Sequence, residues 1–541
     1  MRFKLILSAC LAAALLIPCA LPAAADTDSI AAETADTAAE KTALPEFTDI
    51  EGHWAHDAIA RFREAGAITD ESDRFRPDEA MTRAEMAILL QRVMRYQTVS
   101  EEPFLDLEEE WYAEAILQLR AADVMRGDEN NLAHPNDSIT REEAAALIAR
   151  AFLLADSAEP APLPYPDAEA ISDWACGSIE AMTARGFLHG SDGGNFFPQD
   201  NLTRAEAVTI LDNMITAFFY EPGEYDYRPY EGLADFVIIA SDDVTVLNFD
   251  IGGTIFLAEG IDYDSIRLKS CSHTGWVMQY TADGYIRRLK ASSRIVPINE
   301  DLPTLSHDPA RFVKDERGIM HYEDPDVTTY FGVDVSSWQY EIDWQKLKEE
   351  GVYFAFIRAG YRGYESGALV KDTYFDTNMK GAIAAGIHVG VYFFSQALNA
   401  EEAEEEARFV IEMLKGYRIT YPVVFDWETI SQATARTKNM ETKKLCEATN
   451  AFCSTIAAAG YAPMVYSNQS ISLLYYELGR IQEYPFWYAE YRDQPTFYYD
   501  FDIWQYGASA HLDGVPKADI DVNISFVDFS QLLPQPVTAA P

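Results

Sequence analysis

Cysteine, histidine and positive charge are all scarce in this chain. Six cysteines in 541 residues are too few and too scattered for a disulfide framework. Cys10 and Cys19 lie in an N-terminal apolar stretch, and Cys176 and Cys271 lie in different segments. Cys446 and Cys453 sit seven residues apart in an expected helix, a rise of about 10 Å and out of disulfide reach. The nine histidines show no metal-ligand spacing, so no metal and no cofactor is expected. Lysine and arginine total 42 against 87 acids, a net charge of -45. That balance excludes nucleic acid and anionic membrane surfaces as partners. Long apolar runs are also missing, apart from Leu5 to Leu21. Arg2 and Lys4 precede that run and Ala23-Ala24-Ala25 follow it, so residues 1–25 read as an export signal. No transmembrane segment is expected after its cleavage. Residues 26–44 are small, polar and acidic and read as a linker.

Residues 45–220 repeat internally, as units at 45–98, 102–155 and 163–220. Trp54, Trp111 and Trp174 mark equivalent positions, and Arg83, Arg141 and Arg204 follow them by 29, 30 and 30 residues. Each unit reads as helix, Gly/Asp/Pro loop, helix. The second helices open with Thr82-Arg83-Ala84-Glu85, Thr140-Arg141-Glu142-Glu143 and Thr203-Arg204-Ala205-Glu206. Thr-x-x-Glu is a capping box, which explains Thr and Glu structurally. The arginine sits in a first turn where the helix dipole favours an acid. A cation there, beside free amides, suggests an anion site. These motifs resemble the S-layer homology (SLH) domain in three copies. The resemblance implies an α-helical module binding secondary cell-wall polysaccharide, with the arginines on its anionic groups and the three tryptophans nearby. Asp70 and Asp123 stand where glycine is usual, and Ala133 stands where the other repeats have Phe75 and Phe196. The third repeat is the most complete, which singles out Arg204.

Residues 221–240 read as a Tyr/Pro/Glu/Asp-rich linker, and 233–297 as short strands forming a small all-β domain, barrel or sandwich. From Tyr330 strands alternate with helices. Strands are expected at 331–335, 352–358, 387–394, 422–428, 462–467, 485–490, 501–505 and 519–523, and helices at about 341–350, 372–385, 400–415, 437–459 and 470–479. Five strand–helix units followed by three strands describe a multidomain chain ending in an incomplete TIM-like (β/α)5β3 barrel.

In YPVVFDWE, residues 421–428, the apolar run ends in Asp426-Trp427-Glu428. Residues two apart on a strand point to one face, so both carboxylates project from the strand's C-terminal end. Paired acids raise one another's pKa, as glycoside hydrolysis requires. Asp334 ends the first strand and Asp521 lies in the last. Tyr392, Tyr466, Trp487, Tyr491, Trp504 and Gln505 lie at other strand ends, where aromatic faces suit sugar rings. The motifs GVDVSSWQ, GVYFF, VVFDWE, MVYSN, WYAEY, DIWQY and DVN over residues 329–528 resemble glycoside hydrolase family 25, the Chalaropsis-type lysozymes. The resemblance implies hydrolysis of the β-1,4 bond between N-acetylmuramic acid and N-acetylglucosamine in peptidoglycan glycan strands. It makes Glu428 the general acid, Asp426 its partner, and Asp334 and Asp521 outer acids that tune charge and bind substrate. Asp519 competes with Asp521 for that place. Retaining, inverting and substrate-assisted routes stay open. The expectation is a secreted, wall-anchored muramidase. Its rivals are a wall-binding protein with an inactive barrel and a structural surface-layer component.

Overall fold

The computed structural model describes residues 46–532, except 70–71, 155–161, 192, 229, 231 and 516–518. The expected export signal, the 26–44 linker and Asp70 lie outside the described residues. Among the described residues six α-helices come first, in pairs: α1 (His56–Glu64) with α2 (Arg83–Met94), α3 (Ala113–Ala121) with α4 (Arg141–Ala151), and α5 (Asp173–Ala184) with α6 (Arg204–Met214). Thr82, Thr140 and Thr203 cap α2, α4 and α6, each in a full capping box with Glu85, Glu143 or Glu206.

The three arginines serve the contacts between repeats. Arg83 Nε donates to the Ala133 carbonyl (2.8 Å) and Nη1 pairs with Glu143 (2.7 Å). Arg141 does the same with the Phe196 carbonyl (2.8 Å) and Glu206 (2.8 Å). Arg204 closes the cycle on the Phe75 carbonyl (2.8 Å) and Glu85 (2.6 Å), its guanidinium 4.8 Å from the Phe75 ring centroid. Each arginine therefore satisfies the capping glutamate of the next repeat. Backbone bonds close the same ring: Met81 donates to Leu202, Leu202 to Ile139, and Ile139 to Met81. Arg204, the expected anion site, also lines a groove between repeats. Its side chain is only 8% exposed and its charge is already compensated, by a partner that one repeat's sequence does not contain. Arg204→Met strands Glu85 in this junction, and removing one partner of a buried pair costs about 3–5 kcal/mol. A urea titration of the full chain should show that loss.

α6 runs straight into a nine-stranded sheet. Strands at 215–219, 236–239, 255–257 and 277–281 stack in parallel, and those at 223–226, 244–247 and 267–269 form a second parallel stack. The pattern is a coil of short strands, not the expected barrel or sandwich. The expected linker at 221–240 supplies two of its strands. Alternation along the strands explains the packing. Val237, Ile239, Ile255 and Leu257 fill the coil, while Phe236, Ile238, Phe256 and Tyr280 join the core of the helical repeats. One face of the coil therefore completes the core of the repeats, while its interior forms a second core.

The last region is a closed ring of eight strands: β1 (Tyr330–Val335), β2 (Phe354–Arg362), β3 (His388–Ser395), β4 (Val423–Trp427), β5 (Pro463–Asn468), β6 (Phe486–Ala489), β7 (Ile503–Ala510) and β8 (Ile520–Ser525). Neighbours run β1-β2-β3-β4-β5-β6-β7-β8 and back to β1. Seven strands are parallel, and β8 is antiparallel to both neighbours. Outward residues such as Val333, Val391, Phe425 and Val465 pack with α7 (Trp344–Glu349), α8 (Phe375–Ala384), α9 (Ala400–Leu414) and α10 (Thr442–Ala458); a short α11 (Gln469–Leu474) follows β5. Inward residues stack in layers, Phe354 on Tyr421 (4.6 Å) and Phe356 on Trp487 (4.5 Å). Gly332 and Gly390 leave room for these rings: a Cβ at either would come within 2.2 Å of Phe354 or 2.6 Å of Phe356.

Among the described residues no helix follows β6 or β7. Their outer face carries Tyr488, Trp504 and Tyr506, and residues before the barrel cover it. A hairpin of Phe312–Lys314 and Met320–Tyr322 packs there, with Phe312 edge-on to Trp504 at 4.9 Å. The Met320 amide donates to the Tyr506 hydroxyl (3.0 Å).

Candidate active site

The site forms where β1 to β7 end. Inward alternation puts Asp334, Arg358, Tyr392, Asp426, Tyr466, Trp487 and Gln505 on the barrel's inner side. The antiparallel β8 brings its start, not its end, to this rim, and pairs Asp521 opposite Asp334. A parallel eighth strand would have placed Asp521 at the far end. Asp519 lies just before β8, exposed, with its carbonyl accepting from Gln339 Nε2 at 3.3 Å. The inner acid is therefore Asp521. Glu428 is the first residue beyond β4, which ends at Trp427 and not at 428. Trp427 points outward and is fully buried, so Asp426 and Glu428 share the inner side.

A polar network holds Asp334. Its Oδ2 accepts from Gln505 Nε2 (2.7 Å) and Asn523 Nδ2 (2.9 Å). The Tyr466 and Tyr491 hydroxyls both donate to Gln505 Oε1, at 2.9 and 3.3 Å. Trp487 Nε1 donates to Asn523 Oδ1 (2.8 Å). Each amide is thus oriented by its partners, with N–H toward the carboxylate.

Burial dominates the acids' protonation. It pushes Asp334 up to about 6, opposed by the bonds from Asn523, Gln505 and Asp521. Burial, then the charge and hydrogen bond of Asp334, push Asp521 up to about 9. Asp521 therefore keeps a proton at neutral pH and donates it to Asp334. Asp426 is raised well above the carboxylate range by burial, then by Glu428 and Asp334, with Arg358 opposing. Burial and Asp334 raise Glu428. Among the described residues, buried Asp426 Oδ1 has no hydrogen-bond partner.

These raised values make a stability prediction. The folded state holds protons that the unfolded chain releases near pH 4. Stability therefore falls as pH rises from about 4 through the folded values. Asp521→Asn should remove part of that slope, raising the melting temperature at pH 8 and leaving it unchanged at pH 3.5. Calorimetry at the two pH values checks this.

The structure brings together most of the residues expected at the site, though not in equal roles. Tyr491 is 58% exposed at the rim, whereas Trp487 is 2% exposed and forms the floor beneath the acids. Trp504 is corrected: it neighbours Gln505 on β7, faces the opposite way and is buried against Phe312. Four further residues emerge. Arg358 lies among the acids, held by Asp372 (2.9 Å) and Ser337 (3.0 Å). Trp338, 62% exposed, follows β1 at the rim. Gln396 and Asp372 are buried. Arg358 was findable, since it is the one charged residue in the apolar stretch FAFIRAG. Asp372 was not, because it lies in a loop 14 residues after its partner Arg358.

Residues 333–515 match the sequence model of glycosyl hydrolases family 25, and residues 46–87, 103–145 and 164–208 match the S-layer homology domain. The chain carries one such hydrolase domain behind three SLH repeats. The uncharacterized protein YegX of Escherichia coli (strain K12) is 28% identical over 207 residues, 36% of this chain and 69% of that protein. The amylopullulanase of Thermoanaerobacterium thermosulfurigenes is 33% identical over 176 residues, 31% of this chain and 9% of that protein. The surface-layer 125 kDa protein of Lysinibacillus sphaericus is 26% identical over 198 residues, 36% of this chain and 17% of that protein. The chain spans 9% to 25% of the length of the first curated relatives it matches. A bacterial lysozyme structure from Streptomyces coelicolor aligns at 25% identity over 38% of this chain and 96% of that chain, with a TM-score of 0.32.

Proposed function

We propose that this protein is a cell-surface peptidoglycan hydrolase, and more finely an exported N-acetylmuramidase, that its SLH repeats hold to secondary cell-wall polysaccharide. We read its barrel as the incomplete TIM-like (β/α)5β3 form. The observation that carries the proposal is the convergence of Asp334, Asp426, Glu428 and Asp521 at one rim, with raised pKa values, inside a family 25 domain. Perturbed acids in one cleft are what proton transfer to a leaving oxygen needs. Glu428 serves as general acid. Asp426 accepts the substrate's 2-acetamido N–H at its unpartnered oxygen and turns the acetamido oxygen toward the sugar carbon. A donor arriving at Asp426 favours its charged form and so leaves the shared proton to Glu428. Asp521 and Asp334 share another proton and limit the charge of the cleft. Tyr491 and Trp338 offer exposed faces to sugar rings, while Tyr392, Tyr466, Trp487 and Gln505 set the floor.

Anchoring belongs to the grooves between repeats. Trp54, Trp111 and Trp174 are 64%, 70% and 55% exposed, and one groove is lined by Arg76, Glu85, Arg92, Trp111 and Arg204. Tethering raises the local concentration of substrate at the barrel.

The test is a digest of purified peptidoglycan by the full chain, read by mass spectrometry after borohydride reduction. New ends in reduced muramic acid support the muramidase reading. Ends in reduced glucosamine, or no products from several wall types, sink it. On sacculi, the triple Trp54, Trp111 and Trp174→Ala variant should bind less, while hydrolysis of soluble fragments persists.

A further inference from the structure

We propose that Gln396 is a positioning residue that holds Glu428 in place for proton transfer, an inference that rests on Glu428 being the acid. β3 and β4 pair up to Ser395 opposite Trp427, where the ladder stops. Glu428 is the next residue and has no rung of its own. Gln396 supplies one from its side chain: Nε2 donates to the Glu428 carbonyl at 2.9 Å and to the Ser395 carbonyl at 2.9 Å.

Its orientation is set from the other side. Thr437 Oγ1 donates to Gln396 Oε1 at 2.6 Å, so the amide must present its NH2 to Glu428. Arg436 Nη1 donates to the Gln396 carbonyl (3.3 Å), and its Nη2 pairs with Glu402 (2.7 Å). The Arg436 amide donates to the Tyr364 carbonyl (2.9 Å). Arg436 and Thr437 belong to the same loop that Glu428 begins. Both ends of that loop are therefore tied to the end of β3 through one side chain. Gln396 is fully buried and Thr437 is 3% exposed, so the ties are dry and an unmet polar group there is costly.

An acid displaced by about 1 Å can lose on the order of 10²-fold in rate. Gln396→Met keeps the volume and removes all three side-chain bonds; Thr437→Val removes only the orienting hydroxyl. In the full chain on soluble glycan fragments, Gln396→Met should lower kcat by roughly 10- to 100-fold, with KM little changed. The alkaline limb of its pH–rate profile should move, because the burial of the acid and its distance from Asp334 change. Thr437→Val should show the same pattern at smaller amplitude, and it decides the matter if Gln396→Met does not fold. Folded variants with wild-type kcat and pH profile overturn the positioning role. Glu428→Gln runs beside them. If it is inactive while both variants behave as wild type, only the positioning role fails; if it stays active, the reading of the acid fails and takes this role with it.

Discussion

Glu428→Gln is expected to lower kcat on peptidoglycan by on the order of 10²–10⁴-fold, the range that a general acid contributes. The amide matches the carboxyl in shape and has no proton to give. The variant should melt no lower than wild type at neutral pH. Burial and the charge of Asp334 raise Glu428 above its ordinary value, so the folded state carries the cost of its ionisation, and replacing it relieves that cost. Loss of rate with stability kept or gained separates chemistry from scaffolding. The wild-type rate should fall with rising pH as Glu428 loses its proton, on a limb shifted above that of an ordinary glutamate. It should fall again in acid, where Asp426 cannot ionise even with substrate bound. A flat profile between pH 4 and 8, or an active Glu428→Gln, would remove Glu428 from the mechanism.

The second large effect concerns residues outside the expected 329–528 domain. Phe312 is 5% exposed and packs against fully buried Trp504. Phe312→Ala should cost about 3–5 kcal/mol, as large-to-small aromatic truncations in cores do. A fragment beginning at residue 325 loses the whole hairpin and lays bare Tyr488, Trp504 and Tyr506, an apolar patch of the kind that drives aggregation. One beginning at 298 keeps the cover. The shorter fragment should be recovered mainly as aggregate, and the longer one should give a single cooperative melt. Equal solubility and equal melting of the two would show that the hairpin is dispensable. If the shorter fragment aggregates, its loss of activity says nothing about Glu428, since β6 and β7 carry Trp487 and Gln505 on their inner side.

Much of the barrel was legible because its information is local. β4 reads as a strand from Val423-Val424-Phe425, and the i, i+2 spacing of Asp426 and Glu428 needs only the pleat. The capping boxes at Thr82, Thr140 and Thr203 formed as written, since box and helix start lie within four residues. The arginines inside those boxes were legible as odd but not as bonded. Arg204 meets Glu85, 119 residues away, and no window of one repeat contains both. The coil at 215–297 shows the same limit. Its short strands were visible, but parallel stacking between successive turns is a long-range choice that strand composition does not encode.

Residue types, their spacing and the three repeats determined which elements form and which acids end them, through propensity, capping and periodicity. Tertiary structure decided what faces what. It turned β8 antiparallel, so that Asp521 meets Asp334 and shares its proton. It sent Trp504 outward against Phe312 while Gln505, the next residue, turned in to Asp334. It placed Arg358 among the acids and brought Gln396 under Glu428. Each of these depends on chain segments that meet only when the barrel closes and water is excluded. The same exclusion is what raises the acids and gives the hydrogen bonds around them their weight.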